Sequence, residues 1–130
     1  MMKSFLTTIL ISMMCLFSCQ THPEGITTLS ASQFNKIIAD DDVQLVDVRT
    51  PEEYAEGHIA GSIMIDYRAD DFADKAVSSL NKNRPVAVYC LRGIRSLSAA
   101  EILESNGFKT IYNLEGGVTE WNEAQLPLVK

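Results

Sequence analysis

From residue 26 onward, short apolar runs alternate with segments whose apolar positions recur at helical spacing. ITTL (26–29) predicts a strand, and SASQ (30–33) has the capping-box pattern that opens a helix carrying Phe34, Ile37 and Ile38. The acidic run at 40–42 ends that helix. VQLVDV (43–48) then predicts a buried strand, PEEYAEG (51–57) a short helix with Pro51 at an allowed early position, and SIMI (62–65) another strand. A helix over 70–80, the turn NKNRP, the strand VAVY (86–89), a helix over 96–106 stopped by Gly107 and the strand TIY (110–112) follow. A glycine turn, a last helix carrying Trp121 and then Pro127 complete the chain. Trp121, at helical spacing from Val118 and with Leu126 nearby, reads as core. Five short strands separated by helices predict an α/β fold, a parallel sheet covered on both faces, because parallel neighbours need crossover connections.

Residues 5–17 break this pattern. They form an apolar run of 13 residues behind Lys3, short for a membrane span and of the length of a signal-peptide core; QTHPEG (20–25) follows as a turn-rich linker. Nothing polar alternates with the run to make an amphipathic helix. Its end, LFSC, resembles the lipobox of bacterial lipoproteins, with Ser18 before Cys19 and Leu16 three residues ahead of it. The resemblance implies cleavage before Cys19 and its acylation, hence a lipid-anchored, periplasm-facing protein of the bacterial cell envelope; ordinary cleavage would leave it soluble in the periplasm. The chain divides accordingly into a signal peptide (1–18), a lipidated cysteine and linker (19–25) and one domain (26–130). Cys15 would leave with the signal and Cys19 would be acylated, so Cys90 alone would remain as a thiol, with no internal disulfide.

Charge narrows the partners. With 11 basic and 17 acidic residues, net −6, the chain lacks the cationic excess that nucleic-acid backbones require. Any anion site is therefore local. In the mature chain His22, His58 and Cys90 lie too far apart for a metal cluster.

Such a local site is written in YCLRGIRS (89–96). Cys90 sits where a strand leads into a helix, the place where ligands collect in parallel sheets; Asp47 ends another strand at the same edge. The amides of residues 91–96 (Leu91, Arg92, Gly93, Ile94, Arg95, Ser96) are placed to turn inward around the sulfur as a nest of donors. The helix N-terminus, Arg92 and Arg95 favour thiolate over thiol, and Gly93 lets backbone approach a ligand. Ser96 either caps the helix or donates to a bound anion. A buried cysteine at a strand end is often only a small hydrophobe. A core thiol, however, does not require two arginines and a glycine in the next five positions, so these residues favour reactivity.

VAVYCLRGIRSLSAAEIL is similar to the active-site segment of single-domain rhodaneses: a cysteine, a glycine three residues on and an arginine at the sixth position, here Cys90, Gly93 and Arg95. LVDVRTPEEYAEGHIAGSIMI (45–65) and NLEGGVTEWNEAQLP (113–127) resemble that family's other two signatures, although its usual glycine before LP is Gln125 here. The resemblance implies a rhodanese-like fold and sulfur transfer through a Cys90 persulfide, from thiosulfate or a persulfide to cyanide or a thiol, without a cofactor. A loop of six residues, cysteine through arginine, goes with sulfur transfer in that family, whereas related phosphatases and arsenate reductases carry one residue more. Arg92 is expected to meet the donor; Arg95 either attracts the donor or pairs with a carboxylate such as Asp47 beneath the loop. Arg49 is expected to pair with Glu52 or Glu53, and His58 to be structural through backbone bonding. A monomer is expected.

Overall fold

The structure, a computed structural model, describes residues 24–130. The expected signal segment and the acylated Cys19 lie outside the described residues, as does most of the linker. Among the described residues no helix is long and apolar enough to cross a membrane.

Ten elements follow in strict alternation: β1 (Gly25–Leu29), α1 (Ala31–Ile37), β2 (Gln44–Asp47), α2 (Pro51–Glu56), β3 (Ile63–Met64), α3 (Phe72–Ser79), β4 (Val86–Tyr89), α4 (Ile94–Ser105), β5 (Thr110–Leu114) and α5 (Gly117–Glu123). The strands form one five-stranded sheet in the order β1-β5-β4-β2-β3, every pair parallel. β4 is central and buried throughout. Its side chains alternate between the faces, as strand geometry demands. Val86 and Val88 join Phe72, Ala99, Leu103 and Phe108 beneath α3 and α4. Ala87 and Tyr89 join Phe34, Tyr112, Val118 and Trp121 beneath α1 and α5.

The local signals act as read in several places. Ser30 and Gln33 form the capping box of α1, Pro51 stands in the first turn of α2, and Trp121 is 1% exposed with its indole N–H donating to the Pro127 carbonyl; Thr50 and Glu53 add a second capping box, at α2, beyond expectation. Three boundaries differ from expectation. SIMI contributes only Ile63–Met64, because β3 is an edge strand pairing with β2 alone. β5 runs on to Leu114, held by β1 in register. α4 begins at Ile94, two residues before Ser96, because Gly93 takes φ 92° and turns the chain into the helix at once. After α5, Gln125 adopts φ 58°, the one left-handed non-glycine among the described residues, at the position where the resembled family usually has glycine.

Candidate functional site

Cys90 leaves the carboxyl end of β4, the strand between β2 and β5, at the edge of a parallel sheet where ligands collect. The chain then turns through residues 91–93 into α4. Two backbone amides reach the sulfur: Gly93 N–H at 3.1 Å and Ser96 N–H at 3.4 Å. The Cys90 thiol lies 3.3 Å from Ser96 Oγ, whose own hydroxyl donates to Asn113 Oδ1 on β5 at 2.6 Å. Ser96 is therefore no helix cap. It is fully buried in the first turn of α4. Without its proton the sulfur keeps both N–H donors and the positive end of a twelve-residue helix, an arrangement that holds an anion.

The loop keeps its shape from behind. Val118 N–H and Thr119 N–H at the start of α5 donate to the carbonyls of Cys90 and Leu91 at 2.9 and 3.0 Å. With those two oxygens bound outside, the amides of Gly93 and Ser96 face the sulfur; of the six amides expected to turn inward, these two reach it. Gly93 and Gly117 permit this close approach: a Cβ on Gly93 would strike the Glu115 carbonyl, and one on Gly117 would strike the Cys90 carbonyl.

Over the sulfur opens a recess of about 280 Å³, lined by Arg68, Cys90, Leu91, Arg92, Ile94 and Arg95. Cys90 itself is 1% exposed, so only a small or slender group gets to it. Asp47, Arg49 and His58 do not line the recess.

The ion pairs differ from expectation. Arg95 pairs with Glu53, not Asp47, through two parallel bonds of 2.8 and 2.9 Å. Asp47 pairs instead with Arg49 at 2.8 Å, both nearly solvent-free, and Arg49 also donates to the Gly57 carbonyl and lies over the Tyr89 ring. The reason is geometric. Asp47 and Arg49 share one side of the strand end, two residues apart, and close on each other, which leaves Glu53 on α2 to meet the first turn of α4. Burial works against the Arg49 charge, but the hydrogen bond and the charge of Asp47 outweigh it and hold the guanidinium above its ordinary value. His58 acts through backbone. Its Nδ1 lies 3.0 Å from the Tyr54 carbonyl, its ring stacks on Tyr54, and its main chain exchanges two bonds with Val129.

The Glu53–Arg95 pair ties α2 to the reactive loop, and pH reads it out. The Arg95 hydrogen bonds hold the Glu53 carboxyl at about 2, below its ordinary 4.5, with Thr50 assisting against the opposing effect of burial. A depressed carboxyl stabilises the fold above its unfolded value, and that contribution fades as pH falls from 4.5 towards 2. Both partners are partly exposed, so solvent screening trims the effect. We expect Glu53→Gln to cost about 1–2 kcal/mol at neutral pH. Denaturant melts across pH check this: the gap between variant and parent should close near the acid end of that window, and a constant gap would remove the pair from the account.

Two contributors were not expected from sequence, Asn113 and Arg68. Asn113 is a buried polar residue inside an apolar strand, a readable signal. Glu53, expected with Glu52 as a partner of Arg49, meets Arg95 instead. Arg68 sits just past β3, at the same sheet edge as Cys90, but its acidic surroundings in DYRADD give it the look of a solvated face.

Comparison with known proteins agrees with this geometry. The family model described as the rhodanese-like domain matches residues 30–124. The tRNA uridine(34) hydroxylase of Yersinia pestis is 37% identical over 109 residues, 77% of this chain and 30% of that protein. The protein of the same name from Pelagibacter ubique is 34% identical over 93 residues, 72% of this chain and 31% of that protein. The chain thus spans just under a third of these curated relatives. Among solved structures, a rhodanese-like domain protein from Staphylococcus aureus is 36% identical with a TM-score of 0.64, covering 73% of this chain and 90% of that one. The rhodanese-like domain of an Anabaena protein, 28% identical, reaches 0.71 over 78% of this chain and 77% of its own. The matched span takes in the cysteine loop, both supporting ion pairs and the core on each face of the sheet, and the chain belongs to the rhodanese-like domain family.

Proposed function

We propose that the protein is an envelope sulfurtransferase that moves sulfane sulfur from thiosulfate or a persulfide to a thiophilic acceptor through a Cys90 persulfide. The observation that carries this reading is the sulfur at the floor of an open recess, receiving the Gly93 and Ser96 amides. In the first half-reaction the Cys90 thiolate attacks the outer sulfur of thiosulfate; the new S–S bond forms as the old one breaks, and its electron pair leaves with sulfite. In the second, cyanide or a thiolate takes the outer sulfur and returns Cys90 as thiolate. The anionic outer sulfur of the intermediate lies within the field of the loop amides and the α4 N-terminus.

The six-residue loop supports sulfur over the larger tetrahedral oxyanion of a phosphatase or arsenate reductase. The hydroxylation named for the curated relatives belongs to proteins more than twice as long, and a net charge of −6 does not favour binding of a tRNA backbone. A second reading, a persulfide carrier serving a protein partner, has one observation in its favour: Ile94 is 76% exposed at the rim, beside the half-exposed Leu91 and Leu97.

Intact mass after incubation with thiosulfate tests the proposal. Turnover predicts a gain of one sulfur atom on Cys90 that cyanide removes, and no gain sinks it. Slow release to cyanide with fast transfer to a protein thiol favours the carrier. We further propose that the chain is anchored through Cys19 and works as a monomer. Spectra of protein extracted from membranes test the anchor: a chain beginning at Cys19 with acyl mass supports it, and an unacylated chain overturns it.

A further inference from the structure

We propose that Arg68 is a donor-binding residue, which together with Arg92 grips the oxygen-bearing end of a small dianionic donor of the thiosulfate class; this rests on the sulfur-transfer reading above. Three guanidinium groups line the recess over Cys90. The charge of Arg95 is met by Glu53. Arg68 and Arg92 form no ion pair, and their guanidinium groups make no hydrogen bond among the described residues. They arrive from two different strand ends, Arg68 after β3 and Arg92 after β4. The remaining lining residues besides Cys90 and the arginines are the apolar Leu91 and Ile94.

The anchor of Arg68 is firm although its side chain is exposed. Its amide donates to Asp66 Oδ1 at 2.8 Å, and the Ala69 amide donates to the Asp66 carbonyl. The Tyr67 amide donates to the Val48 carbonyl just past β2, and the Tyr67 ring packs edge-on against Phe72 in the core. The backbone is thus clamped while five N–H donors remain unused.

Two unmatched positive charges beside the sulfur suit a donor that brings two negative charges. A neutral donor would leave both guanidinium groups with nothing to bind, and planar guanidinium donors fit the oxygens of a sulfonate. The same contact serves the bond-breaking step, since the departing sulfite keeps its charge on those oxygens. The anionic outer sulfur left on Cys90 is held by the loop amides, so the two ends of the donor have separate partners.

Two measurements test this, one of them independent of sulfur transfer. Sulfate, a dianion with no transferable sulfur, should slow alkylation of Cys90 by uncharged iodoacetamide. In Arg68→Gln, about tenfold more sulfate should be needed for the same protection, and the KM for thiosulfate should rise about tenfold with kcat changed far less, as expected for one lost charged hydrogen bond. Arg68→Lys should recover part of both. Unchanged sulfate protection together with unchanged KM in Arg68→Gln overturns the assignment. If sulfate protects through Arg68 but thiosulfate does not load the parent protein, the anion site stands and the sulfur-transfer reading falls.

Discussion

Cys90→Ser protein incubated with thiosulfate gains no cyanide-labile sulfur, while its melting temperature stays within a few degrees of the parent. The two parts of this expectation have separate causes. A serine oxygen is too weak an acid for the loop amides to ionise at neutral pH, and an oxygen-bound sulfur would lack the exchange chemistry of a disulfide bond. The smaller hydroxyl still fits a site that already offers it the Gly93 and Ser96 amides and the Ser96 hydroxyl, so no buried polar atom is left unpaired. Intact mass and a thermal melt on the same sample measure both. Sulfur that still accumulates in this variant would move the chemistry away from Cys90.

Gly93→Ala is expected to damage fold and site together. The alanine methyl would have to occupy the space of the Glu115 carbonyl, and the residue would have to keep φ 92°. A carbonyl in the main chain that follows β5 cannot swing aside as the end of a long side chain can. We expect a loss of about 3–5 kcal/mol and no sulfur loading, since any escape moves the Gly93 amide off the sulfur. Gly61→Ala supplies the comparison, because Gly61 also has positive φ, 81°, but open space around it. That change should cost only the backbone penalty of about 1–2 kcal/mol. Urea titrations of the two variants distinguish collision from backbone preference, and equal losses would show that the contact with Glu115 is not what restricts position 93.

The contrast bears on what can be read from sequence. Cys90, Gly93 and the helix after them stand within a few residues, so strand end, turn and anion nest were legible as one local unit. Ser30, Gln33 and Pro51 likewise announced their helices through neighbours in sequence. The choice of partners for the arginines was not legible. Glu53 reaches Arg95 across 42 residues, and nothing local distinguishes it from Asp47 as a partner. Asp47 was already satisfied by Arg49, a competition decided by which side of the strand end each side chain takes. Arg68 was hidden for a similar reason: its place at the recess depends on the segments after β3 and β4 meeting there, whereas its sequence neighbours are acidic. The early start of α4 follows from a left-handed glycine, a freedom that sequence permits but does not require.

The bonds from Val118 and Thr119 to the loop carbonyls also set an order of events in biosynthesis. During synthesis, the cysteine emerges well before the residues that fold its loop around it. Until α5 has been made and docked, the carbonyls of Cys90 and Leu91 lack these two donors. The loop therefore takes its final shape only after residues 117–119 have been made.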